Sequence, residues 1–170
     1  MQPEPFSTAR LDAVPVDPVH ADEMARVLSD PALYTYTGGA PEDTDTLRAR
    51  YERWTAGSPV PGELWWNWVL RVRADGGLAG YVQATVRGEH AEVAWVVGAG
   101  RQGRGYAKEA ARGLVAHLMG TAGVRTVVAH VHPGHKASAA VAEAAGLVPT
   151  DEREEGEVRW RRTGGDQETG

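Results

Sequence analysis

Residues 102–107 read Gln-Gly-Arg-Gly-Tyr-Ala, and they stand where a strand-like run at 91–97 gives way to a strongly helical one at 105–120. A glycine-rich strand-to-helix turn limits the chain to folds in which backbone amides close around a guest at the start of a helix. The first amides of a helix have no intrahelical partner and the helix dipole is positive there, so the favoured guest is anionic. Arg101, Arg104 and Lys108 add positive charge at the same place. A phosphate group suits this turn.

A dinucleotide fingerprint overlaps the turn, since Gly98, Gly100 and Gly103 spell G-x-G-x-x-G. That motif needs an acidic residue about 20 positions on, at the end of the next strand, to hold a ribose. The next strand, 126–132, ends in histidines instead. The runs before Gly98 also alternate like antiparallel hairpins with one polar face, unlike the continuous apolar strands of a buried parallel sheet. The dinucleotide reading therefore lacks its context.

Periodicity and punctuation organise the rest. A short strand at 11–16 is followed by Asp17-Pro18, an N-cap and first-turn proline for a helix ending before Asp30-Pro31. Residues 34–39 form an aromatic, glycine-ended loop. A second helix starts near Pro41 and carries Leu47, Tyr51 and Trp54 on one face. Residues 64–73 alternate, with Trp66, Trp68, Leu70 and Val72 sharing a face; strands at 78–86 and 91–97 follow, giving three antiparallel strands in a row. The helix after the turn presents Ala107, Ala110, Ala111, Leu114, Val115 and Leu118 as one apolar stripe. A strand at 126–132, a small-residue helix at 136–145 and strands at 147–151 and 157–162 complete a mixed sheet flanked by helices. Residues 1–7 are expected to be flexible and 163–170 to be a disordered tail, leaving one domain over 8–162.

Composition bounds the function classes. A chain of 170 residues is long enough for one cored domain. Its formal net charge of -5, from 18 basic and 23 acidic residues, argues against nonspecific nucleic-acid binding. No cysteine is present, which removes disulfides, thiolate metal sites and a covalent thioester on the enzyme. No signal pattern or membrane-length apolar run is visible, so a cytoplasmic protein with no membrane partner is expected.

The stretch resembles motif A of the GNAT acyltransferase superfamily: Gln102, Gly105 and Ala107 fill its Gln/Arg-x-x-Gly-x-Gly/Ala positions. The surroundings agree over residues 8–162. Glu92-Val-Ala-Trp-Val-Val97 is similar to the family's fourth strand, Tyr106 to Ala110 to the opening of its third helix, and His132 to Ser138 with Val141, Gly146 and Leu147 to its fourth helix and next strand. The RimJ/RimL branch is the nearest. The resemblance implies an α/β (α+β) fold, a mostly antiparallel seven-stranded sheet with about four helices, splayed between the family's fourth and fifth strands. It implies an N-acetyltransferase that moves an acetyl group from acetyl-CoA, or another short acyl-CoA, to a primary amine by direct attack in a ternary complex. Acceptors of that kind are small amines or protein N-termini, and the protein would be a monomer or homodimer. The alternative is a non-catalytic coenzyme A sensor on the same fold.

Carried over residue by residue, the backbone of Trp95, Val96 and Val97 would pair with pantetheine. Gln102, Gly103, Arg104, Gly105, Tyr106, Ala107 and Lys108 would surround the diphosphate, with His135 and Ser138 at the fourth helix. The glycines let backbone amides approach. Glu92 is the candidate base; a carboxylate in a partly apolar cleft would have its pKa raised toward neutrality. Glu152, Glu154, Glu155 and Glu157 are candidates for a second carboxylate. The family's usual tyrosine acid is replaced by Ala142, leaving Ser138 to hydrogen-bond the departing thiolate, although a serine there could equally cap the helix. The family's usual asparagine is replaced by His135, a larger ring with one donor and one acceptor when neutral. His130, His132 and His135 also spell H-x-H-x-x-H, a possible zinc set, but no carboxylate is near in sequence and no metal is expected. On the acceptor side the candidates are aromatic: Tyr34, Tyr36, Trp54, Trp66 and Trp68, with Trp65 beside them. Read residue by residue, Trp66 and Trp68 also suit a core.

Overall fold

The computed structural model describes residues 2–164. Its strands are β1 (Phe6–Ser7), β2 (Leu11–Pro15), β3 (Glu63–Val72), β4 (Leu78–Arg87), β5 (His90–Val97), β6 (Thr126–Val131), β7 (Val148–Glu154) and β8 (Glu157–Thr163). Its helices are α1 (Ala21–Val27), α2 (Thr44–Ala56), α3 (Tyr106–Gly120) and α4 (Lys136–Ala144). They form one sheet in the order β1-β2-β3-β4-β5-β6-β8-β7.

The sheet has eight strands rather than seven. The extra one lies in the segment expected to be flexible: Phe6 pairs with Ala13 and Ser7 with Asp12. Its anchor is aromatic, the Phe6 ring lying 5.4 Å from Trp68 edge-on and 5.0 Å from the His117 ring, stacked. At the other end Thr163 still pairs with Thr126, so the sheet extends one residue into the expected tail, whose residues 165–170 lie outside the described residues.

Local chemistry accounts for the element boundaries. Asp17 accepts from the Val19 amide ahead of Pro18, but the first turn is a 3-10 turn and α1 begins only at Ala21. Asp43 accepts from the Thr46 amide, so α2 starts at Thr44, after Pro41. Packing divides on the two sides of the sheet. One cluster joins Trp66, Trp68, Leu70, Val82 and Val93 to Ala110, Leu114 and Leu118 of α3. The other joins Val69 and Leu78 to Met24, Leu47 and Tyr51 of α1 and α2. Truncating a fully buried member such as Leu114 to alanine costs about 2–5 kcal/mol.

One irregularity positions the site. β5 and β6 are parallel neighbours only at His90, Ala91 and Glu92, which face Thr126, Val127 and Val128. Beyond Glu92, β5 stays with β4 as far as Val97 and β6 stays with β8 as far as Val131. The two strands part, and one edge of β5 is left without a strand partner.

Candidate active site

The parted strands open a cleft of about 860 Å³. Trp95, Val96 and Val97 form one wall, the 102–108 turn the end, and Ala137, Ser138 and Val141 of α4 the other side. Gly103 and Gly105 have φ of 78° and 79°, a region that L side chains rarely adopt. Gly105 is also the N-cap of α3 and offers no side chain there, so the helix's first amides stay open to a guest. Gln102 turns its amide N–H back onto the Val97 carbonyl (3.1 Å) and fastens the turn to the end of β5.

Charge around this turn is less uniform than the sequence implied. Arg101 is held by both oxygens of Asp75, whose carboxyl is pushed down to about 2 by that guanidinium and by the Gly77 amide. Arg104 and Lys108 form no ion pair among the described residues, so these two carry the mobile positive charge.

At α4, the Trp95 indole N–H donates to Ser138 Oγ (3.2 Å), and the Ser138 amide donates to His135 Nδ1 (3.3 Å). His135 is thus a neutral-ring N-cap, a role the sequence allows to Ser138. Burial first, then the neighbouring His132, holds its pKa below the ordinary imidazole value. The Tyr36 ring stacks on it at 4.4 Å. Ser138 keeps its own hydroxyl hydrogen for a guest.

Glu92 does not sit in an apolar cleft. Its side chain is half exposed and lies 2.9 Å from His130 Nδ1. An ionised carboxylate only accepts, so Nδ1 carries the hydrogen and a neutral ring has its lone pair on Nε2. Glu154 Oε2 is 3.0 Å from Nε2, yet the two do not align as a hydrogen bond and Nε2 is buried without a partner. That separation serves as an ion pair only for a protonated ring; against the Nε2 lone pair of a neutral ring the carboxylate is repelled. His130 lines the cleft, and only 13% of its side chain is exposed. The sequence offered His130 only as a metal candidate; its contact with Glu92 comes from the parting of β5 and β6, which spacing alone does not give. Of the other acidic candidates, Glu152 pairs with Arg159, Glu157 lines the cleft, and Glu155 sits in the β7–β8 turn. His132 Nδ1 accepts from the Gly134 amide, and among the described residues no group of three potential ligands is placed to hold a metal.

The aromatic candidates divide. Tyr36 lines the cleft, and Trp54 lines a smaller adjoining pocket with Trp65. Tyr34 lines neither; its hydroxyl donates to the Leu28 carbonyl. Trp66 and Trp68 belong to the core beneath α3, on the opposite face of the sheet, with Trp68 donating to the Glu4 carbonyl. Strand alternation put those two together but not which face meets α3; the residues of β3 that line the adjoining pocket are Trp65 and Asn67.

The family described as acetyltransferase (GNAT) domain matches residues 10–148. The chain belongs to the GNAT acetyltransferase family. No curated protein matches it in sequence. RimJ from Mycobacterium smegmatis, solved with a coenzyme A disulfide, superposes with a TM-score of 0.81 at 16% identity over 98% of this chain and 90% of that one. The ribosomal-protein-S5-alanine acetyltransferase of Vibrio fischeri gives 0.80 at 13% identity over 98% and 100%. A spermidine N-acetyltransferase chimera from Vibrio cholerae gives 0.73 at 15% over 91% and 96%. The fold is therefore shared with RimJ/RimL proteins, and among the described residues no helix is long and apolar enough to cross a membrane. Members of the family use acyl-CoA, and the residues present fit that group: an unpaired strand edge for an amide-bearing arm, side-chain-free glycines and open amides for a diphosphate, two free cations beside them, and a serine hydroxyl farther along.

Proposed function

We propose that the protein is an acyl-CoA-dependent N-acyltransferase that brings donor and amine together in one ternary complex. The observation that carries this reading is the parting of β5 and β6 beside the Gly103–Gly105 turn, which joins a strand edge and a helix start in a single cleft. The bound donor supplies a thioester-activated acyl group, and the protein supplies position and proton transfer. The free edge of β5 at Trp95, Val96 and Val97 orients the pantetheine arm, and the α3 amides with Arg104 and Lys108 hold the diphosphate. His130 Nε2 accepts the proton that the amine loses as it forms its new bond to carbon, with Glu92 on Nδ1 fixing the tautomer. The side chain of Glu154, 70% exposed, turns aside to admit the amine. Ser138 directs its hydroxyl hydrogen at the departing sulfur. Glu92 is then a positioning residue, and no enzyme nucleophile is required.

Release of free thiol from acetyl-CoA across a panel of primary amines tests the proposal. Amine-dependent release supports it. Coenzyme A binding without release for any amine would favour the sensor.

A further inference from the structure

The pocket that adjoins the cleft has a chemistry of its own. Its volume is about 80 Å³, and Trp54, Trp65, Asn67, Gln83, Ala84 and Thr85 line it. Gln83 also lines the cleft, so the two cavities meet at its side chain. β-register puts Asn67 opposite Gln83 and Trp65 opposite Thr85, and Thr85 in turn opposite Glu92. The pocket thus lies one strand over from the proton-handling pair.

Asn67 is 5% exposed, and its carboxamide has no hydrogen-bond partner among the described residues; nor have the side chains of Gln83 and Thr85. The Asn67 carboxamide atoms are not sealed from the pocket, so solvent can meet them there, and a guest that displaces that solvent must replace its bonds, because a buried amide left without partners costs roughly 1–3 kcal/mol. Each carboxamide and the hydroxyl can both donate and accept. A second ammonium group would answer only the acceptors, and a carboxylate only the donors. No charged side chain lines the pocket itself, and the nearest carboxylate, Glu92 opposite Thr85, is engaged by His130. Glu63, next to Trp65, is saturated by Ser58, Trp65 and Arg87, and no cation lines the pocket.

We infer that this pocket is a subsite for a neutral amide group of the acceptor, held by Asn67, Gln83 and Thr85 between the Trp54 and Trp65 indoles. The inference rests on the acyl-transfer reading and names its substrate class: a primary amine with a carboxamide or peptide bond close by. Strands are spaced about 4.8 Å apart, so the amide follows the amine after only a few bonds.

The test compares amines of equal length that end in a carboxamide, a methyl group, a carboxylate or a second amine, with a short free-N-terminal peptide as a separate arm. Each is titrated calorimetrically into the protein and also assayed as acceptor. The carboxamide is expected to bind about tenfold or more better than the methyl compound, as two or three hydrogen bonds allow. Thr85→Val and Gln83→Leu should each shrink that ratio several-fold. Preference for the free peptide over the amino carboxamide would assign the amide to a polypeptide main chain, and the reverse to a small molecule. Equal binding of all four end groups, or better binding of the diamine or the amino acid, overturns the inference. The calorimetric arm decides this even if no amine releases thiol, an outcome that would instead count against the acyl-transfer reading.

Discussion

Among single residues, turnover depends most on which side chain takes the proton. His130 is faced by Glu92 from β5, Glu154 from β7, Arg159 directly across on β8, and Glu157 and His132 nearby on the cleft wall. His130→Gln should lower turnover by about a hundredfold or more, the usual contribution of a general base. Glu92→Gln should cost less, because the ring remains. The loss should be steeper for a lysine-like amine, pKa near 10.4, than for an α-amine near 7.7–8.0, which is already partly neutral at pH 7. Steady-state rates on both amine types check this. A greater loss from Glu154→Gln than from His130→Gln would move the base to Glu154. His135 gives a pH-dependent prediction. Its pKa is depressed by burial, so it is neutral near pH 8 and stays so to below the ordinary value of about 6.5. Coenzyme A affinity should therefore be nearly flat from pH 8 to 6.5 and weaken only on further acidification, when protonation removes the acceptor for the Ser138 amide. His135→Asn, which keeps an acceptor oxygen and does not titrate, should flatten that acid limb. Identical affinity profiles for the two proteins would show that the cap has no bearing on the cofactor.

At the scale of elements, the 102–107 turn carries the cofactor prediction. Gly105 has φ of 79°, and a Cβ there would meet only the guanidinium of Arg10 at 3.4 Å. Asparagine and aspartate are the side chains that best tolerate this backbone region, so Gly105→Asp and Gly105→Asn should both fold with similar melting temperatures. Calorimetry should then show coenzyme A binding abolished by aspartate and only weakened by asparagine, because the charge opposes the diphosphate. Equal affinity in the aspartate variant would move the phosphate site elsewhere. This element was legible in sequence because glycines before a helix have a fixed physical meaning. The faces of β3 were not. Alternation with period two groups Trp66 with Trp68 and Trp65 with Asn67, but the sequence does not say which group α3 covers. That depends on tertiary packing, and Asn67, a single polar residue inside an aromatic run, was the only local sign. The Asp75 clasp on Arg101 was hidden for a related reason, since a hairpin turn 26 residues away supplies the carboxylate. Phe6 likewise joins the sheet through contacts with Trp68 and His117, far along the chain.

At the scale of the whole molecule, the titrating groups set a direction for acid stability. His20, His117 and His135 all have their pKa lowered, each mainly by burial. A group that resists protonation when folded but accepts a proton when unfolded favours unfolding as pH falls through its unfolded value. The melting temperature should hold above about pH 7 and decline as pH drops through about 6.5. A second decline should come near pH 4, where Asp43, held down by the Thr46 amide, and Glu63, held down by Ser58 and Arg87, lose their ionised advantage. Thermal melts across pH 4 to 8 check both. A melting temperature rising between pH 7 and 6 would contradict the assignment of the three histidines as neutral.

Direct transfer of an acyl group to an amine requires both to be bound at once. Initial rates of thiol release, with acetyl-CoA and a carboxamide-bearing amine varied together, test it most directly. A ternary complex gives intersecting double-reciprocal lines and no thiol burst in the absence of amine. Parallel lines with a burst would require an acyl-enzyme, carried in this cysteine-free chain on an oxygen or nitrogen nucleophile, and would contradict direct transfer.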